Sequence, residues 1–328
     1  MRGCLTFGAS LRAFARRAVT SASGAALTLE RFEKVRDDLQ VSTAIDPWLG
    51  RVLAGRYRVL QKAADGRRGT LYRAERIDDA RRVAIKIVHA SMHQAHATFE
   101  WRFQQEVEAA RSLVDRNTLI VYEGSKADDR SMFMAMEWLS GIDLARMLAA
   151  RGPLNTRQAL FLGNQVARSL AFAHAQKQVH GDLSPEGLFV TRDARGLSLV
   201  KVMDFGRRRL ASYNDEGFSQ VNMPSGWARY LAPEQITGDE FDGRADLYAL
   251  GSILYRALSG ELPFPDATGI QILMSQVHDH PPPLRTHQAA KEVPSAVEAL
   301  VMRCLEKSPQ QRFASADELV ELTERLAR

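Results

Sequence analysis

Hydrophobic and polar positions along the 328-residue chain change period twice. Leu29, Phe32, Val35 and Leu39 recur at helical spacing behind Thr28, a residue suited to an N-cap, so a short amphipathic helix is expected there. Pro47 and Gly50 then punctuate the chain. From Tyr57 the pattern becomes that of strands, predicted at Tyr57–Ala63, Thr70–Arg76, Val83–Lys86, Leu119–Tyr122 and Met132–Met136. One helix, Phe99–Leu113, interrupts this five-stranded set. Beyond Gly141 the pattern is helical. A long helix is expected over Asn155–Gln176, with Leu162, Val166, Leu170 and Ala173 on one face and Asn155 as its N-cap. Strands followed by helices predict an α+β chain.

Composition is ordinary for a folded globular protein, 45% hydrophobic and 25% charged. No apolar run approaches the roughly 18 residues needed to span a bilayer, so no membrane span is expected. Four of the net +5 charges, Arg2, Arg12, Arg16 and Arg17, lie in an acid-free segment over 1–29. That segment fits an organelle-targeting peptide, a disordered basic tail or an over-long start, and a tail is the default reading. The remainder is near neutral, which argues against a nucleic-acid partner. Two cysteines, Cys4 and Cys304, cannot build a disulfide framework or a zinc site, and a reducing, cytoplasmic location fits. His89, His93 and His96 could share a helix face, but no carboxylate or Cys completes a metal set. A solvated loop is the expectation for them.

Several stretches carry more than packing. Between the first two strands lies Ala64-Asp65-Gly66-Arg67-Arg68-Gly69. Glycines at such a turn let backbone N–H groups approach a phosphate, although alone they read as a hairpin with two turn glycines. Val83-Ala84-Ile85-Lys86 places an ammonium inside a β-branched strand, where burial is costly unless it is paired. Glu106 on the following helix is the best available partner. Farther along come Val179-His180-Gly181-Asp182-Leu183-Ser184-Pro185-Glu186-Gly187-Leu188-Phe189-Val190 and Asp204-Phe205-Gly206. Ala232-Pro233-Glu234, Asp246-Leu247-Tyr248-Ala249-Leu250-Gly251 and Arg312 complete the series.

In this order and spacing the motifs resemble the bacterial-type serine/threonine protein kinase family, from about Tyr57 to the C-terminus. His-Gly-Asp-Leu alone also resembles small-molecule kinases such as aminoglycoside phosphotransferases, which lack the Ala-Pro-Glu, Asp246 and Arg312 features. The resemblance implies a bilobal protein-kinase-like fold: a basic tail and short helix over 1–50, a five-stranded antiparallel small lobe with one helix over 55–139, and a mainly helical large lobe over 140–328. It implies ATP and Mg²⁺ as cofactors, and a protein substrate or regulatory partner that the sequence does not identify.

Carried over residue by residue, Gly66 and Gly69 would cover the phosphates. Lys86, paired with Glu106, would hold the α- and β-phosphates. Glu137-Trp138-Leu139 would be the hinge, with the Glu137 carbonyl and Leu139 amide on the adenine edge behind Met136. Leu71, Ala84 and Phe189 would sandwich the ring. Asp182 would be the base for an acceptor hydroxyl and Asp204 the Mg²⁺ ligand. Glu234–Arg312 would be a buried ion pair, and Asp246 would anchor the catalytic-loop backbone.

Four positions depart from the family pattern. Gly181 replaces an Arg that receives activation-loop phosphate, and Ser184 replaces a Lys near the γ-phosphate. Gly187 replaces the Asn that binds a second Mg²⁺, and Trp227 replaces a Thr that ties base to Lys. Two functions follow as expectations: a slow Ser/Thr protein kinase, or a pseudokinase acting as a nucleotide-binding scaffold or regulator. Without Gly181's family counterpart, phosphorylation at Ser212, Ser219 or Ser225 is expected not to switch the protein.

Overall fold

The computed structural model describes residues 46–66, 69–88, 99–128, 131–205, 227–265 and 269–328. The amphipathic segment at 29–39, the three histidines and the activation-loop serines lie outside these residues. The chain separates into two units, Met1–Leu49 and Gly50–Arg328. In the first, Leu49 N–H donates to the Asp46 carbonyl (3.2 Å) and Trp48 N–H to Asp46 Oδ1 (3.0 Å), which closes a turn.

The second unit opens with a six-stranded antiparallel sheet where five strands were expected. The addition is a two-residue edge strand, β1 (Val52–Leu53), too short for periodicity to reveal. It pairs with β2 (Tyr57–Gly66), and β3 (Gly69–Arg76) and β4 (Arg81–Val88) follow. Helix α1 (Phe99–Ser112) leads to β5 (Val121–Asp128) and β6 (Ser131–Glu137), and the spatial order is β1-β2-β3-β4-β6-β5. The sheet curls enough for its first strands to meet β5. Arg56 pairs with Glu123 at 2.7 Å, Tyr57 stands edge-on to Phe133 at 6.2 Å, and the Arg76 guanidinium lies over the Tyr122 ring. Strand twist produces the curl and alternation fills it: Tyr57, Val59, Tyr72, Ala74, Val83, Ile85, Phe133 and Ala135 are buried on its inner face. The opposite face carries Leu71, Ala84, Lys86, Met134 and Met136, which the strand register places side by side.

After the short strand β7 (Gly141–Asp143) and helix α2 (Leu144–Arg151), helix α3 runs over Thr156–Ala175. A capping box starts it: Gln158 N–H donates to Asn155 Oδ1 (2.9 Å) and Asn155 N–H to Gln158 Oε1 (3.1 Å). Strands β8 (Leu188–Arg192) and β9 (Ser198–Val202) form a small sheet with β7. Helices α4 (Pro233–Thr237), α5 (Arg244–Ser259), α6 (Gly269–His278), α7 (Ser295–Cys304) and α8 (Ala316–Leu326) complete the large lobe. Helix α5 is buried from Ala245 to Ser259 except at Arg256, as its mostly apolar sequence demands. Gly260, in the left-handed conformation (φ 84°), ends it.

The lobes are stitched at β9. Leu119 N–H donates to the Val202 carbonyl (2.9 Å) and Val202 N–H to the Asn117 carbonyl (2.7 Å). Asn117 also reaches Gln165 on α3 (2.7 Å), and Thr118 shares a hydrogen bond with Ser169 (2.7 Å). These groups are buried, so every polar atom needs such a partner.

Candidate functional site

Strand β4 is held between β3 and β6, and its register sets Lys86 opposite Leu71 on one side and Met134 on the other. Two residues away on the same face, Ala84 lies opposite Met136. Leu71, Ala84, Met136, Leu139 and Met203 belong to one apolar cluster, so two of the three expected wall residues, Leu71 and Ala84, gather with Met136 and Leu139. Phe189 comes from β8, opposite Asp143 and Lys201, and is partly exposed. Its ring stands close to Gly141, where a Cβ would approach Phe189 to 3.0 Å.

The Lys86 ammonium is 3.3 Å from Asp204 Oδ1, 118 positions later in the chain. Asp204 takes a left-handed backbone conformation (φ 62°), sparsely populated outside Gly, Asn and Asp. Phe205 beside it is buried and edge-on to His180 at 4.7 Å. Glu106 is buried on the inward face of α1 with Phe103, Val107 and Ala110. Gly66 and Gly69 pair across the β2–β3 hairpin. A Cβ at Gly69 would lie 2.3 Å from the Ile87 carbonyl oxygen, so the close approach of β4 requires this glycine whatever binds above it.

The loop bearing Asp182 is fixed through its backbone. Asp246, on α5 and fully buried, accepts from His180 N–H (2.8 Å) and Gly181 N–H (2.7 Å) and contacts His174 Nε2 (2.8 Å). Burial pushes its carboxyl up, but His174, His180 and the Gly181 N–H outweigh that and hold it below the usual range. His180 Nε2 lies 2.9 Å from the Met203 carbonyl, and Asp182 N–H donates to His180 Nδ1 (3.2 Å). In these two contacts Nδ1 accepts from the backbone and Nε2 faces the Met203 carbonyl. Gly181 has φ 72°, which glycine adopts freely. Its carbonyl accepts from Gln235 Nε2 (2.9 Å), whose Oε1 accepts from Ala232 N–H (3.0 Å).

Gln235, His174 and Lys201 escaped the sequence reading. Each sits on a helix or strand whose periodicity it does not break, and only long-range contacts give it a role. Lys201 reaches Glu137 Oε1 (2.6 Å) and the Thr118 carbonyl (2.9 Å). Glu137 Oε1 also accepts from Ile120 N–H (2.9 Å), and Glu137 N–H donates to the Ile120 carbonyl (2.9 Å). The hinge carboxylate is thus committed behind the segment.

Gly187 closes a 3₁₀ turn over Pro185–Gly187, and Ser184 caps that turn without a side-chain hydrogen bond. A Cβ at Gly187 would meet only the Met203 carbonyl oxygen, at 3.9 Å. Trp227 opens the 3₁₀ turn Trp227–Tyr230. Glu234 and Arg312 form the bidentate pair that was expected, at 2.7 and 2.8 Å. No cluster of three metal-ligating side chains exists among the described residues. One carboxylate, Asp204, is nevertheless a donor set that suits Mg²⁺ when phosphate oxygens and water supply the rest.

The sequence matches the family described as protein kinase domain over residues 57–323. It is 32% identical over 274 residues to serine/threonine-protein kinase pkn3 of Myxococcus xanthus, covering 83% of this chain and 50% of that protein. Over 269 residues it is 32% identical to PknJ of Mycobacterium tuberculosis, covering 82% and 45%. The chain therefore spans half the length or less of these curated relatives. The PknI kinase domain of Mycobacterium tuberculosis superposes with a TM-score of 0.66 at 26% identity, covering 84% of this chain and 98% of that domain.

Proposed function

The chain belongs to the protein kinase domain family, and from that premise we propose that it binds Mg·ATP between its lobes and transfers the γ-phosphoryl group slowly to a protein Ser or Thr hydroxyl. The observation that carries this reading is the 3.3 Å approach of Lys86 to Asp204, beside a loop clamped to Asp246. Two opposite charges, Lys86 on β4 and Asp204 two residues beyond the end of β9, each 29% exposed, are poised where a phosphate chain and its metal would join them.

Asp204 would hold Mg²⁺, which supplies charge neutralisation for the phosphates. Lys86 would bind the α- and β-phosphates, with buried Glu106 on α1 supporting it. Gly66 and Gly69 would let the hairpin backbone lie over the phosphates. Leu71 and Ala84 above and Phe189 below would enclose the adenine, and the Glu137 carbonyl and Leu139 N–H would read its edge. Asp182 would accept the proton of the acceptor hydroxyl.

Gly187 offers no second metal ligand, and Ser184 offers a hydroxyl where a cation would neutralise the γ-phosphate. Losing one preorganised charge-stabilising group costs on the order of 10²–10³ in rate. Two losses are expected to cost about 10⁴, short of full additivity. The same two positions favour the second reading, a pseudokinase that binds nucleotide and signals through a protein partner.

The test measures Mg·ATP binding and γ-phosphate transfer, to the protein itself and to a generic protein substrate. We expect tight binding and slow transfer that vanishes in Asp182→Asn. Binding with no transfer in either protein establishes the scaffold reading, and absence of binding overturns both.

A further inference from the structure

A cavity of about 640 Å³ lies behind the hinge, between the α1–β5 connection, the Glu137–Ser140 segment and the β8–β9 hairpin. It shares Glu137 and Leu139 with the proposed adenine edge, and none of Leu71, Ala84, Lys86, Phe189 or Asp204. Its volume is that of a small-molecule site. Trp138, Leu139 and Val114 give it an apolar wall, and Val114 is 65% exposed.

Its charges are unequally committed. Asp193 accepts from Arg116 Nη2 (2.7 Å) and from the N–H groups of Arg195 (2.9 Å) and Leu197 (3.0 Å). Desolvation opposes ionisation of this carboxyl, but those N–H groups and Arg116 hold it below the usual range. Asp115 Oδ1 accepts from Asn117 N–H (2.7 Å), and Glu137 is taken by Lys201 and Ile120. The acids are therefore satisfied internally. Among the described residues, Arg116 uses only Nη2, on Asp193, and Arg192 only Nη1, on the Gly196 carbonyl (2.6 Å). A guanidinium has five N–H donors, so each fork keeps most of its capacity.

We propose that this cavity is a regulatory site for a small organic anion, a carboxylate or phosphate on a flat apolar body, coupled to the nucleotide site through Glu137 and Lys201. The apolar body lies on Trp138 and Leu139, and the anion takes the free donors of Arg116 and Arg192. At the cavity floor Lys201 divides its ammonium between Glu137 and Thr118, so a nearby anion draws it from Glu137 and disturbs the hinge peptide. The coupling rests on the nucleotide reading above, whereas the site itself does not. Coupling is reciprocal, so nucleotide changes anion affinity by the same factor.

Calorimetric titration of the full chain with 1-naphthyl phosphate tests the site, with neutral 1-naphthol as control. The phosphate is expected to bind at least about tenfold more tightly than the naphthol, the gain of a charge-assisted bidentate contact. The double variant Arg116→Ala/Arg192→Ala is expected to lose about tenfold or more in probe affinity while Mg·ATP affinity without probe stays within about twofold. Asp193→Asn keeps an acceptor for the turn but releases Arg116, and is expected to tighten the probe by about threefold, a gain that a purely structural role would not produce. No binding up to millimolar probe, equal binding of naphthol, or an affinity indifferent to both variants overturns the proposal. Probe binding that depends on the arginines in a protein that binds no ATP keeps the site and removes the coupling and the function proposed above.

Discussion

Gly181 and Gly187 lie six positions apart in one loop, and their backbones differ in what they permit. Gly181 is left-handed (φ 72°), with its N–H on Asp246 and its carbonyl on Gln235. A side chain there costs about 1–2 kcal/mol in backbone strain. Gly181→Arg is accordingly expected to lower unfolding free energy by about that much in urea, while phosphomimetic changes at Ser219 or Ser225 leave ATP binding unaltered. Gly187 is not left-handed, and a Cβ there has 3.9 Å of clearance. Gly187→Asn is therefore expected to fold without the backbone strain of a left-handed site. It should also raise Mg²⁺-dependent transfer about tenfold or more, the return of one charge-organising ligand. A radiolabel transfer assay reads this directly, and an unchanged rate would place the limiting defect at Ser184 or Trp227.

At the level of elements, the Glu234–Arg312 pair ties α4 to the segment between α7 and α8. The Arg312 guanidinium spends all five N–H donors: two on Glu234 and the others on the carbonyls of Arg244, Glu306 and Lys307. Arg312 is 2% and Glu234 7% exposed, so removing one partner strands a buried charge. Arg312→Met is expected to cost about 3–5 kcal/mol in chemical denaturation, and Arg312→Lys to rescue little because a point charge cannot serve five fixed acceptors. The pair was legible in the motif order because Glu-on-helix and Arg-near-end recur as a unit. Gln235 was not, since its side chain serves a loop 54 positions earlier and no local pattern marks that service. The strand β1 was missed for a related reason: two residues carry no period, and only pairing with β2 makes them a strand.

Across the whole molecule, Lys307 links three elements of the large lobe. Its ammonium donates to the carbonyls of Ser275 (3.2 Å) and Gln276 (2.7 Å) and lies over the rings of Tyr248 and Phe264. Burial pushes it down to about 8, with Asp279 and Glu306 opposing and Arg312 adding to the fall. The unfolded chain then binds more protons than the folded one between about 8 and 10.5. This group therefore destabilises the fold at low pH, and stability is gained as pH rises through that window. Thermal unfolding from pH 7.5 to 9.5 is expected to show a rising contribution that Lys307→Met removes. At this scale the sequence alone determined the α+β class, the long capped helix α3, the strand that holds Lys86, and the order of the chemistry-bearing motifs. These are local periodicities and spacings, which survive in one dimension. The tertiary structure alone decided that Lys86 meets Asp204 at 3.3 Å, that Gly69 answers to the Ile87 carbonyl, and that the Glu137 carboxylate turns back to Lys201. Each of those joins residues from separate segments, and strand register within the sheet together with the docking of β9 against Asn117 and Leu119, which no single segment contains, sets the distance.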